Sequence, residues 1–106
     1  MSGKLQVILA ELRGRLQALY GPRLARLVLF GSQARGDAEP ESDIDVLVVL
    51  HGLVAPGEEI AQTGETAAEL SLKYDAVISC TFVSAARYST EQSPLLLNVR
   101  REGVVL

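Results

Sequence analysis

The sequence predicts an α/β domain, a small sheet covered by helices. Leucines recur at helical spacing near the start of the chain. Three short apolar stretches, at 24–30, 43–50 and 74–83, have the length and flanks of buried strands. At 106 residues the chain is read as one domain, 1–106, large enough for a single core without disulfide staples.

The elements follow in order. Leu5, Ile8, Leu9, Leu12, Leu16 and Leu19 fall on one face of a first helix, with Glu11, Arg13, Arg15 and Gln17 between them, and Gly21-Pro22 stops it. Leu24 to Phe30 is a buried strand that ends at Gly31. Ser32 is placed to cap a short helix directly after the strand, and Gly36 ends that turn. Asp37-Ala38-Glu39-Pro40-Glu41-Ser42 is a polar loop. Asp43 to Leu50 is a second strand, and its later part, Val46 to Leu50, is apolar on both faces, as suits a central strand. Gly52 to Gly57 is a loop with Pro56 as a breaker. Glu58 to Leu72 is a second long helix, weakened at Gly64 by roughly 1 kcal/mol relative to alanine. Tyr74 to Val83 is the third strand. Pro94 starts a last helix through Arg101, since proline is tolerated in a first turn, and Gly103 ends it.

Composition excludes several classes of function. The formal charge of −3 removes any general attraction for nucleic-acid backbones, so a bound polyphosphate would be held locally, by metal and oriented backbone amides. Cys80 is the only cysteine, which excludes an intrachain disulfide and a cysteine-based zinc site. No apolar run approaches the ~20 residues of a membrane span. The start, Met1-Ser2-Gly3-Lys4, carries no secretory pattern, and the expected compartment is the cytoplasm. His51 is expected to be solvated, Cys80 to be a small core residue, and Tyr20, Tyr74 and Tyr88 to pack at element ends.

The chemistry lies in two motifs. Gly31-Ser32 closes the first strand, and ten residues later Asp43-Ile44-Asp45 opens the second. A strand that turns sharply into a helix exposes backbone amides, glycine lets the backbone approach a phosphate, and the Ser32 hydroxyl adds a donor. Arg35, about one turn further on, is within reach of the same phosphate. Asp43 and Asp45, two apart on a strand, point to one face roughly 6–7 Å apart at the backbone. Their mutual repulsion calls for a cation, and Mg²⁺ suits oxygen ligands while leaving positions for water and substrate phosphates. Asp75 is a third acid, expected at the start of the third strand and facing with Val77, Ser79 and Thr81. There it would bind metal or take a proton from an acceptor. Together these residues point to chemistry on a nucleoside triphosphate.

The run Phe30-Gly31-Ser32-Gln33-Ala34-Arg35-Gly36, continued by Ser42-Asp43-Ile44-Asp45-Val46-Leu47, resembles the signature of the nucleotidyltransferase superfamily with a DNA polymerase β-like palm. More closely it resembles the minimal nucleotidyltransferase (MNT) domains, many of them encoded beside a HEPN-domain toxin. The tail, Pro94 to Val104, resembles that branch too. The resemblance implies a small mixed sheet flanked by helices. It implies that Gly31 and Ser32 hold the triphosphate of ATP, beside the Arg35 read above as reaching a phosphate, and that Asp43 and Asp45 bind two Mg²⁺ ions. Asp75 would help to bind metal and to activate the acceptor hydroxyl. The implied reaction moves AMP from ATP to a hydroxyl, a tyrosine of the cognate HEPN toxin, so that the chain would be an antitoxin working as a protein adenylyltransferase.

Two alternatives stand beside it. One is an antitoxin that neutralises its toxin by binding alone. The other is a nucleotidyltransferase acting on a small molecule such as an aminoglycoside. Leu95-Leu96-Leu97 and Val104-Val105-Leu106 suit either core positions or a surface for a homodimer or for a hetero-oligomer with the toxin.

Overall fold

The computed structural model describes residues 2–39 and 42–106; Pro40 and Glu41, part of the expected polar loop, lie outside the described residues. Helix α1 runs Gly3–Tyr20. Ser2 caps it, its hydroxyl accepting from the Leu5 amide at 3.1 Å, and Gly21 ends it at a positive φ of 54°. A 3-10 turn, Gly21–Arg23, leads into β1, Leu24–Phe30. The short α2 covers Ser32–Arg35 and closes on Gly36, and β2 covers Ile44–Leu50. Helix α3 is Pro56–Tyr74 and β3 is Ile78–Ser84. A six-residue α4, Ala85–Thr90, precedes α5, Pro94–Glu102, and the two-residue β4 is Val104–Val105.

The sheet order is β3-β2-β1-β4. β1 runs antiparallel to both β2 and β4, whereas β2 and β3 are parallel. The sheet is therefore mixed, and a parallel neighbour requires a crossover, which α3 supplies. Helices α1 and α3 cover one face: Leu5, Ile8, Leu12, Leu16 and Leu70 pack on Leu27, Leu29, Val46, Val48 and Leu50. On the other face Leu96 and Val99 of α5 meet Val28, Leu47, Val49 and Val83. β2 carries side chains into both clusters, which explains its unbroken apolar run.

Three expectations need correction, and two elements were not expected. Ser32 does not cap α2; Gly31 holds the N-cap position and Ser32 is the first helical residue. Pro56 does not break the chain but starts α3, because a first-turn residue donates no helical hydrogen bond. β3 begins at Ile78 rather than Tyr74, since α3 continues to Tyr74 and Asp75 ends it in the left-handed conformation with φ 50°. α4 was not expected: Ser84 caps it and an Arg87–Glu91 pair spans its last turn. Nor was β4, which is held by β1.

The far end of the sheet is locked by a buried carboxylate. Glu59 of α3 is 3 % exposed and accepts from the Tyr20 hydroxyl at 3.1 Å and from Arg23 at 3.3 Å. Burial and this acceptor raise the Tyr20 phenol above its ordinary range. Among the described residues no helix is long and apolar enough to cross a membrane.

Candidate active site

The site is built where β1 ends and β2 begins. Antiparallel pairing sets Phe30 opposite Asp45, and the residue after β1, Gly31, comes to lie over the Asp45 carboxylate. Gly31 has φ 74° and ψ −157°, a conformation essentially confined to glycine. A Cβ there would lie 2.6 Å from Asp45 Oδ2. Glycine is thus required twice, by backbone conformation and by the carboxylate above it. The Gly31 carbonyl accepts from both Ala34 and Arg35 amides at 3.1 Å, which folds the chain into α2. The amides of Ser32 and Gln33, in the first turn, have no helical acceptor. Gln33 donates to the Ser42 carbonyl at 3.2 Å and ties this turn to the entrance of β2.

Asp43 is exposed and immediately precedes β2; Asp45 is half-buried within it. Burial first, and the neighbouring Asp43 charge second, push the Asp45 carboxyl above its usual range. Among the described residues neither aspartate forms an ion pair. Two carboxylates, one partly desolvated and both without a cationic partner, make a donor set that suits a hard divalent cation. Mg²⁺ is commonly held by one or two carboxylates together with substrate phosphates and water.

Arg35 does not stand free beside Ser32. Its guanidinium pairs with Asp37 at 3.2 Å and with Glu102 of α5 at 3.6 Å, so contact with a phosphate would compete with both. Asp75 follows α3 and lies outside β3. As the C-cap of α3 it borders a cavity of about 600 Å³ lined also by Gln33, Ser42, Ile44, Ser71, Ala76 and Val77. Among the described residues no group of three or more His, Cys, Asp or Glu is placed to hold a metal. The expected face partners of Asp75 behave differently: Ser79 pairs with Asp45 in the parallel register, and Val77 precedes Ile78. The expected alternation of Val77 and Ser79 holds, but Asp75 lies before β3 and does not continue it. Gln33 was missed, since its role depends on Ser42 lying beside it in space.

A family profile described as "Nucleotidyltransferase domain" matches residues 9–95, a span that holds Gly31, Ser32, Asp43, Asp45 and Asp75. A Methanocaldococcus jannaschii protein named "Putative protein adenylyltransferase" is 38% identical over 72 residues, which cover 68% of this chain and 72% of that protein. The fold is similar to that of a chain in a toxin-antitoxin crystal structure with AMP-PNP, at a TM-score of 0.63 and 20% identity, covering 98% of this chain and 72% of that one. It is also similar to a chain in the complex of a tri-AMPylated Shewanella oneidensis HEPN toxin with MNT antitoxin. That match has a TM-score of 0.50 and 20% identity, covering 92% and 70%.

Proposed function

The chain belongs to the nucleotidyltransferase domain family, and we propose that it transfers AMP from ATP to a hydroxyl of a partner protein, a tyrosine of a HEPN-domain toxin, and so works as an antitoxin in the cytoplasm. The observation that carries this reading is the Asp45 carboxylate lying against the Gly31 turn, with Asp43 two residues away. One place then offers oxygen ligands for a cation and backbone donors for a polyphosphate. The adenylyltransferase name of the M. jannaschii relative and the AMP-PNP and tri-AMPylated toxin of the structural neighbours support the choice of donor and acceptor.

The division of labour follows from the positions of the residues. Asp43 and Asp45 would hold Mg²⁺, which supplies charge neutralisation for the phosphates during transfer. The Ser32 hydroxyl and the amides of Ser32 and Gln33 donate to phosphate oxygens. Gly31 lets the chain approach both phosphate and carboxylate. The acceptor hydroxyl gives up its proton to solvent, its oxygen bonds to the α-phosphorus, the bond from that phosphorus to the bridging oxygen breaks, and pyrophosphate leaves with the electron pair.

A second reading, neutralisation by binding alone, is favoured by one observation: among the described residues the acids assemble as a pair and not as a group of three. Incubation with α-labelled ATP, Mg²⁺ and a HEPN partner, followed by intact mass of both proteins, separates the two. Transfer is expected to add one or more AMP units to the partner, and Asp43→Asn/Asp45→Asn to abolish the gain with an unchanged circular dichroism spectrum. A partner that is bound and inhibited without mass gain would establish the second reading. Unchanged transfer by the double variant would sink the role given to the pair.

A further inference from the structure

The acid pair has one unfilled side. β3 runs parallel to β2, with Ile44 opposite Ile78 and Asp45 opposite Ser79, and the Ile44 amide donates to the Val77 carbonyl at 2.8 Å. Carried back one residue, this register sets Val77 beside Asp43. Ile44 and Ile78 are both buried in the core under α1 and α3. By strand alternation Asp43, Asp45, Val77 and Ser79 then emerge together on the opposite face. Neighbouring strands lie about 4.8 Å apart, so a side chain at 77 is within reach of a cation held by Asp43 and Asp45. Val77 is 55% exposed, which leaves room there.

Asp75 does not take that position. Its φ of 50° turns the chain at the end of α3, two residues before Val77 and outside β3, and among the described residues no three acids are grouped to hold a metal. Phosphoryl transfer with two ions uses one for the attacking oxygen and one for the leaving group. Two carboxylates and a triphosphate furnish ligands for one octahedral cation, and a second needs a further donor.

Resting on the nucleotidyltransferase reading of the site, we infer that position 77 is the third corner of the cation site and that valine there limits this chain to one divalent ion per bound nucleotide. Val77 is thereby a residue that sets metal loading.

The test titrates Mn²⁺ into the chain with equimolar AMP-PNP and follows electron paramagnetic resonance, counted against AMP-PNP alone. Wild type is expected to bind one Mn²⁺ per chain without a spin-coupled signal. Val77→Asp is expected to bind two, with the coupled signal of a close pair. Val77→Asn, of similar shape and uncharged, should stay at one, which separates charge from folding, and Asp75→Asn should also stay at one. Two ions on wild type falling to one in Asp75→Asn would overturn the inference, as would a folded Val77→Asp that stays at one. If Asp43→Asn/Asp45→Asn binds Mn²⁺ and AMP-PNP as wild type does, the reading beneath fails and the inference with it.

Discussion

At Gly31 a single methyl group would meet a carboxylate oxygen. The Cβ of an alanine would sit 2.6 Å from Asp45 Oδ2 while the backbone held φ 74°. Gly31→Ala is expected to lose roughly 1–3 kcal/mol, the usual cost of a backbone state that only glycine adopts readily. It should also lose the stabilisation that Mg²⁺ and ATP give to wild type. Urea unfolding measures the first effect and thermal shift with and without the ligands measures the second; an alanine variant with wild-type values in both would remove Gly31 from the site. The motif residues were legible because Gly31, Ser32, Asp43 and Asp45 lie at strand ends, where local spacing determines position. Asp75 was not, because its place depended on where α3 stops. No local signal distinguishes a helix ending in a left-handed aspartate from a strand beginning one residue earlier.

Elements meet through polar contacts as well as through the core. Glu11 of α1 accepts from Lys73 at 2.7 Å and from the Tyr74 hydroxyl at 2.6 Å, both at the end of α3. These hydrogen bonds, that from Lys73 first, hold the Glu11 carboxyl below its ordinary value of 4.5. A carboxylate whose folded-state value is depressed adds stability above the unfolded value and loses it as pH falls through the folded one. Glu11→Gln is therefore expected to melt below wild type near neutral pH, with the difference shrinking from about pH 5 downward and vanishing in strong acid. Melting temperatures of both proteins between pH 7 and pH 2 check this; a difference independent of pH would assign the effect to packing. At this scale the long helices and β1 were legible from period and breakers. Pro56 misled because proline signals a stop and a first turn alike, and only the tertiary packing of α3 decides between them.

The whole molecule closes at Gly103. A Cβ there would fall 2.6 Å from Val28 Cγ1 and would crowd the Val99 carbonyl and β1 as well. Just beyond it Val104 and Val105 pair with Leu29 and Val28, and the Leu106 amide donates to the Leu27 carbonyl at 2.9 Å. Gly103→Ala is expected to destabilise the fold by about 1–3 kcal/mol, as overpacking does. The Leu106 amide should lose its protection from hydrogen exchange before the amides of β2; equal protection in variant and wild type would show that β4 tolerates the displacement. Two residues are too few for a strand pattern to show in sequence, which is why β4 was read as a tail.

The place of α5 in the chain also bears on how the protein is made. All three long strands precede it. During folding, β1, β2 and β3 can join with α1 and α3 across one face while Val28, Leu47, Val49 and Val83 are still incompletely covered on the other. Cover for them begins with Ala85 and Tyr88 of α4 and is completed only when Leu96 and Val99 of α5 dock. Until α5 docks, the folding domain presents a half-finished apolar surface, and its yield depends on how crowded that moment is.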